Sequence, residues 1–335
     1  MMTVFGLTLF VSLALLSYRL LLETMLPLYD QSALWTAGCS AMTIAIVAFT
    51  AVAHFTSIAA PNSSRASSVP LYPASSHAPS ATRRLRWIAL AAVPCSLMFG
   101  VTTYISTDVA AVPLLWLVPP GLYVTTLIVA FSTARGRVQP VVDRLLPLAV
   151  LPLVLLFVTQ TTQPAFVVMA LHVLAFVVLA LVCHLELAAS QPRAAHLPEL
   201  CLWLSVGALL GALFNTILAP MLFVSIAEYP IAVVLACLLR VTRQGHGTSV
   251  SRGLVTVVAA GALTLAAGVL AQRWSLDSQG WMAMLGVALV VSFSISRHAK
   301  YFAAAIAVMM VAGLFAGPGT GQELYAERTF FGVYR

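Results

Sequence analysis

Charge is the scarcest property of this 335-residue sequence. Asp, Glu, Lys and Arg together make up 8% of it, and lysine occurs once, at Lys300. A soluble globular domain carries about 25% charged residues, because its surface must face water. Seventeen cations and ten acids cannot cover a soluble particle of 35.6 kDa, so that class is excluded. Disorder is excluded as well, since it needs low hydrophobicity, and here 61% of residues are hydrophobic and the mean hydropathy is +0.99. Paired cysteines are missing too. Cys39, Cys95, Cys183, Cys201 and Cys237 are odd in number, scattered and without CxxC spacing, which speaks against a disulfide framework or a zinc site. They read as small hydrophobes within helices. No Ser/His/Asp set, HExxH or Walker motif is present. Residues 317–321 (GPGTG) follow an apolar run of helical length and precede no clear strand or ribose-binding acid, so they do not read as a dinucleotide loop. No catalytic set, metal or cofactor is expected.

What the sequence does have is long apolar runs, and these specify an all-α, polytopic integral membrane helix bundle. A hydrocarbon core of about 30 Å needs roughly 20 apolar residues per helix. About eleven runs (ten to twelve) qualify: 3–22, 33–55, 87–102, 109–131, 145–158, 164–184, 200–222, 226–241, 254–271, 281–295 and 301–316. The fifth, tenth and eleventh are short. The first has no preceding cation and no small-x-small cleavage site, so it reads as an uncleaved span rather than a secretory signal. The organisation expected is two N-terminal spans in 1–60, a Ser/Pro-rich cytoplasmic linker in 61–86, a nine-span bundle in 87–316 and a tail in 317–335.

The formal charge of +7 and a pI near 9.5 do not imply nucleic acid, because the cations sit between apolar runs. Arg65, Arg83, Arg84 and Arg86 precede the third run; Arg135, Arg137 and Arg144 precede the fifth. Arg193 follows the sixth, Arg240, Arg243 and Arg252 surround the connection from eight to nine, and Arg297 and Lys300 separate ten from eleven. Every second connection is basic, with Arg19 and Arg273 as exceptions. Basic connections stay inside, which puts the N-terminus inside an inner (cytoplasmic) membrane. With eleven spans the tail then lies outside.

Ionisable residues within such runs are candidate sites. The densest stretch is 102–108, TTYISTD, with Tyr104, Thr107 and Asp108, followed by a run interrupted at Pro113, Pro119 and Pro120. Broken helices of this kind line cavities in transporters; equally, Thr107 or Asp108 caps the next helix. In the sixth run, His172, Cys183 and Glu186 fall within roughly 60° of one another, and His184 lies about 120° from His172. A histidine and a carboxylate on one stripe suit proton relay or cation binding. The plainer reading is that His172 packs between helices while His184 and Glu186 reach the interface. Gly207 and Gly211 form GxxxG beside Asn215, a packing signal, and Glu228 before Pro230 marks a helix start.

Residues 102–131 (TTYISTDVAAVPLLWLVPPGLYVTTLIVAF) resemble the membrane half of bacterial membrane-bound spermidine synthase-like proteins, fusions of a major-facilitator-like membrane domain to a spermidine synthase. Residues 25–39 resemble that family's first outer loop and second span. Residues 181–215 resemble its Cys-His-Gly-Glu-Leu region, with Leu185 in place of the glycine, and 219–240 continue the match. The tail, YAERTFFGVYR at 325–335, is similar to the opening strand of the synthase domain. The resemblance implies a domain that anchors or feeds a synthase-type catalytic domain or protein and handles a polyamine or small amine within the lipid bilayer. The Gly-rich nucleoside loop and the acids of soluble spermidine synthases are absent, so no aminopropyl transfer is expected from this chain alone. The alternatives are an independent major-facilitator-like small-molecule transporter and a structural subunit of a membrane complex.

Overall fold

In the computed structural model the described residues are 79–105, 118–193, 196–223, 225–241, 249–274 and 278–316, the strand residues 327–329 and 332–334, and scattered positions between 27 and 48. Contacts divide the chain into Met2–Ala78 and Pro79–Arg335. In the first unit the described positions between 29 and 48 are helical, and the Ser32 and Thr36 hydroxyls donate to the carbonyls of Tyr29 and Ser32. Most of the two spans expected in 1–60 and of the linker lies outside the described residues, as do Thr107, Asp108 and the loop at 317–321.

The second unit carries nine helices among the described residues. They are α1 (Ala81–Tyr104), α2 (Val118–Phe131), α3 (Arg135–Thr159), α4 (Ala165–Ala189), α5 (Leu197–Leu222), α6 (Glu228–Leu239), α7 (Val250–Arg273), α8 (Ser278–Ser294) and α9 (Ala299–Ala316). Five of these, α1, α3, α4, α5 and α7, are long and apolar enough to cross a membrane; the other four are apolar but shorter. So five of the roughly eleven expected spans are present at crossing length. Among the described residues the regular structure is helical apart from one antiparallel hairpin, β1 (Glu327–Thr329) with β2 (Gly332–Tyr334), in which Arg328 pairs with Val333.

Two expected boundaries are corrected. The linker was expected to run to residue 86, but α1 begins at Ala81, because the Ser80 side chain accepts from the Arg83 amide at 3.3 Å and caps the helix. Arg83 and Arg84 are therefore first-turn residues, and Arg86 stands in the second turn. The fifth run was expected to be short, yet α3 spans 25 residues. Its polar opening, RGRVQPVVDR, is helical before the apolar part begins, and the helix stops where Gln160 turns left-handed at φ 52°. Hydropathy marks where a helix enters hydrocarbon, whereas capping marks where it starts.

Helices alternate in direction, giving the bundle an arginine end, where α1 starts and α4 finishes, and an aromatic end, where α1 finishes and α4 starts. α1 and α5 run parallel and touch along a seam of small residues. A Cβ at Gly207 would lie 2.5 Å from the Ile88 carbonyl oxygen, and one at Gly211 would overlap that of Ala92, so only glycine permits this approach. One turn further, Asn215 donates to the Ser96 hydroxyl at 2.7 Å and to the Gly211 carbonyl at 3.0 Å. The helix widens there into a π turn, Phe214–Leu218. Pro220 lies just beyond it, lacks an N–H and crowds the carbonyl four residues back. The outward faces are apolar: Leu202, Leu209 and Met221 on α5 and Leu254, Val255 and Val269 on α7 are exposed. Such a surface is unfavourable in water and suits contact with a lipid bilayer.

Candidate functional site

Helix α4 carries most of the polar candidates. Its long apolar stretch is helical by composition, and α1, α2, α3 and α6 pack around it. Its first half leaves Phe166, Val167 and Leu174 exposed, but all four of its polar or nucleophilic candidates are enclosed: His172, Cys183 and His184 are 0% exposed and Glu186 is 5% exposed. This corrects the expectation that His184 and Glu186 reach the interface. The angular argument separated His184 from the other three, but in the last turns of the helix every face is covered, with residues 182–188 all buried.

At the aromatic end His172 sits among three rings. Tyr104 from α1 stacks on the imidazole at 4.1 Å between centroids with an interplanar angle of 20°. Phe157 from α3 meets it edge-on at 5.6 Å. Tyr229 from α6 shares a hydrogen bond with His172 Nδ1 at 3.0 Å. Gly100 lets Tyr229 in, since a Cβ there would lie 2.9 Å from that side chain. The second ring nitrogen, His172 Nε2, is buried without a hydrogen-bond partner. Buried polar atoms are nearly always paired; among the described residues Gln139 Oε1, His184 Nε2, Trp203 Nε1 and Trp281 Nε1 share this state. Asp108 follows Tyr104 by four positions in the chain but lies outside the described residues.

Roughly 18 Å away along α4, twelve residues at 1.5 Å each, the arginine end is built differently. The last carbonyls of a helix lack intrahelical donors and carry its negative dipole end. Here Arg83 donates to the carbonyls of Ser190 and Gln191 at 2.8 and 3.2 Å, and Arg135 donates to that of Ala188 at 2.9 Å. Trp87 Nε1 donates to the Ser190 hydroxyl at 3.0 Å. Arg86 pairs with buried Glu186 at 3.2 Å, and the Val241 amide donates to the other Glu186 oxygen at 3.4 Å. Arg240, itself buried, donates to the Ser296 carbonyl. One more turn inward, His184 Nδ1 lies 3.1 Å from the Thr126 hydroxyl, and Tyr123 meets the imidazole edge-on at 5.1 Å. A cavity of about 190 Å³ adjoins His184, and a more open cleft of about 460 Å³ lies beside Arg83, Arg86 and Glu186.

Of the sequence candidates, Tyr104 and His172 come together in one cluster, while His184 and Glu186 belong to the other end. Asn215 joins neither: it is buried in the α1/α5 seam, where it ties two helices. Glu228 stands in the first turn of α6, as expected, but is buried at 2% exposure. Phe157, Tyr229 and Thr126 went unnoticed in the sequence, and Arg86 was read only as a cation between runs, because nothing in their spacing links them to α4. Only the weak signal of a tyrosine beside Glu228 at a helix start pointed toward one of them. Among the described residues no group of three or more His, Cys, Asp or Glu is placed to hold a metal ion. No protein-family model, curated protein or solved structure matches the chain.

Proposed function

We propose that this chain is the integral membrane domain of a spermidine synthase-like system, which holds a small amine for a synthase-type partner. The observation that carries the reading is the His172 cluster. It is a fully buried imidazole inside a helix of membrane-crossing length, enclosed by Tyr104, Phe157 and Tyr229, with one ring nitrogen unpaired. Aromatic faces attract organic cations, by up to about 2 kcal/mol when desolvated. Asp108, four residues past Tyr104, supplies the only acid in that stretch of chain. In this reading about eleven spans cross the inner membrane, the N-terminus and the arginine end face the cytoplasm by the positive-inside bias, and the aromatic end faces outward. The chain itself transfers no aminopropyl group.

Titration of putrescine into the purified chain in lipid nanodiscs tests this. Saturable binding is expected, weakened about tenfold or more by Tyr104→Leu and by Asp108→Asn. Absence of binding, or wild-type affinity in both variants, overturns it. An independent major-facilitator-like transporter is the second reading, favoured by the π turn in α5, since such turns recur at functional and mobile points of helices. Net uptake of putrescine into liposomes by the chain alone selects that reading.

A further inference from the structure

The cleft of about 460 Å³ at the arginine end gathers exposed cations and unspent hydroxyls in one place. Ser80, Thr82, Arg83 and Arg86 line it from the start of α1, and Glu186, Ala189 and Ser190 line it from the end of α4. The Arg83 guanidinium is already fixed: Nη2 bridges the Ser190 and Gln191 carbonyls, and its carbon lies 5.2 Å from the centroid of the Trp87 ring. Nε and Nη1 of Arg83 have no partner among the described residues, and Arg86 commits only Nη2, to Glu186. Ser80 Oγ accepts from the Arg83 amide and keeps its own hydrogen to donate. The Thr82 hydroxyl makes no hydrogen bond to another described residue. The acid of the cleft does not cancel these donors. Glu186 is 5% exposed and held by Arg86 and the Val241 amide, whereas Thr82 and Arg83 are exposed and the Arg86 side chain is 39% exposed. Two guanidinium charges against one carboxylate leave the cleft with a single positive charge in excess.

Planar guanidinium groups match the oxygens of a phosphate, and the hydroxyls add donors to the same anion. A phosphodiester carries one negative charge and neutralises the cleft, whereas a phosphomonoester carries up to about two. The cleft stands at the ends of α1 and α4, both of membrane-crossing length, and Leu85 beside it is 66% exposed. Lipid phosphates lie at that level of a bilayer, and basic pockets between spans hold anionic headgroups. We infer that this cleft binds the phosphodiester of one anionic phospholipid, held by Arg83 and Arg86 together with the Ser80 and Thr82 hydroxyls. A zwitterionic lipid would bring its ammonium against the same arginines, so charge sets the selectivity. The bound lipid ties the start of α1 to the end of α4. It occupies a different place from the amine proposed at the aromatic end, so either reading can fail without the other.

Native mass spectrometry of the full chain, released from nanodiscs of phosphatidylglycerol and phosphatidylcholine in equal parts, reads which lipid stays bound. Wild type is expected to retain one phosphatidylglycerol, enriched about tenfold over phosphatidylcholine, the worth of one hydrogen bond to a charged group. Thr82→Glu places a carboxylate among the arginines, at a helix start where a negative charge supports the helix. It should abolish the enrichment and leave the unfolding temperature in pure phosphatidylcholine unlowered. Arg137→Gln removes an exposed cation of the same end that does not line the cleft, and should leave the enrichment intact. The unaltered protein provides a second readout: the nitrogen-15 resonance of Arg83 Nε should shift when phosphatidylglycerol replaces phosphatidylcholine. Excess inorganic phosphate should neither reproduce that shift nor displace the retained lipid. An unmoved Nε resonance, no enrichment in wild type, or full enrichment in Thr82→Glu overturns the inference. Equal loss in Arg137→Gln overturns it in favour of diffuse surface charge, and displacement by inorganic phosphate overturns it in favour of a free-anion site.

Discussion

The two histidines of α4 share one helix and complete burial, yet their neighbourhoods are built from different forces. His172 is held by ring contacts and one hydroxyl, with no formal charge among its described neighbours. His184 stands a turn inside a clasp of arginines that grip the carbonyls ending α4 and the Glu186 carboxylate. The aromatic end is cohesive through dispersion and shape, which salt does not touch. The arginine end is cohesive through charge, which salt screens wherever water reaches it.

Three variants probe the contrast, all read by thermal unfolding in nanodiscs at low and high salt. The largest loss is expected for Arg86→Ala, which strands the buried Glu186 carboxylate. Removing one partner of a fully buried pair costs 3–5 kcal/mol; because Arg86 is 39% exposed and water can reach the vacated space, about 2 kcal/mol is expected. Arg86→Ala should lose part of its penalty at high salt, and an effect below that of Tyr229→Phe would reverse the ranking of the two ends. Tyr229→Phe comes second: it keeps the ring packing and removes the hydroxyl bonded to His172, for about 1 kcal/mol that salt does not change. Salt dependence here would show that the aromatic end also relies on charge. The smallest is Arg84→Ala. Its pair with Glu199 is short at 2.6 Å, but both side chains are substantially exposed, so no more than about 0.5 kcal/mol is expected, vanishing in high salt. A cost as large as that of Arg86→Ala would make the arginine clasp one cooperative network.

Several of these features were legible in the linear chain and others were not. The GxxxG of Gly207 and Gly211 correctly announced a close helix contact, because small residues four apart have few other uses in an apolar helix. His172 was marked by its rarity within an apolar run. The start of α1 was misread because Ser80 looks like any other residue of a Ser/Pro-rich linker until its side chain is seen to cap the helix. The length of α3 was misread because its first turns are polar. Tyr104 was noted for its polar neighbours, whereas its role as the ring stacked on His172 depends on how α1 is rotated against α4.

The sequence by itself determined the class of molecule, the positions of its apolar helices and the alternation of arginine between them. Each of these is a sum over neighbouring residues, and transfer into hydrocarbon acts on such local sums. Only the tertiary structure decided that both histidines of α4 are enclosed, that Tyr229 and Thr126 are their partners, and that Glu186 is clasped rather than solvated. Those outcomes depend on the rotation and depth of each helix against its neighbours. They are set by side-chain packing between segments far apart in the chain, such as Ser96 and Asn215, 119 residues apart. A hydropathy pattern cannot encode them, because every rotation of an apolar helix about its axis has nearly the same transfer energy.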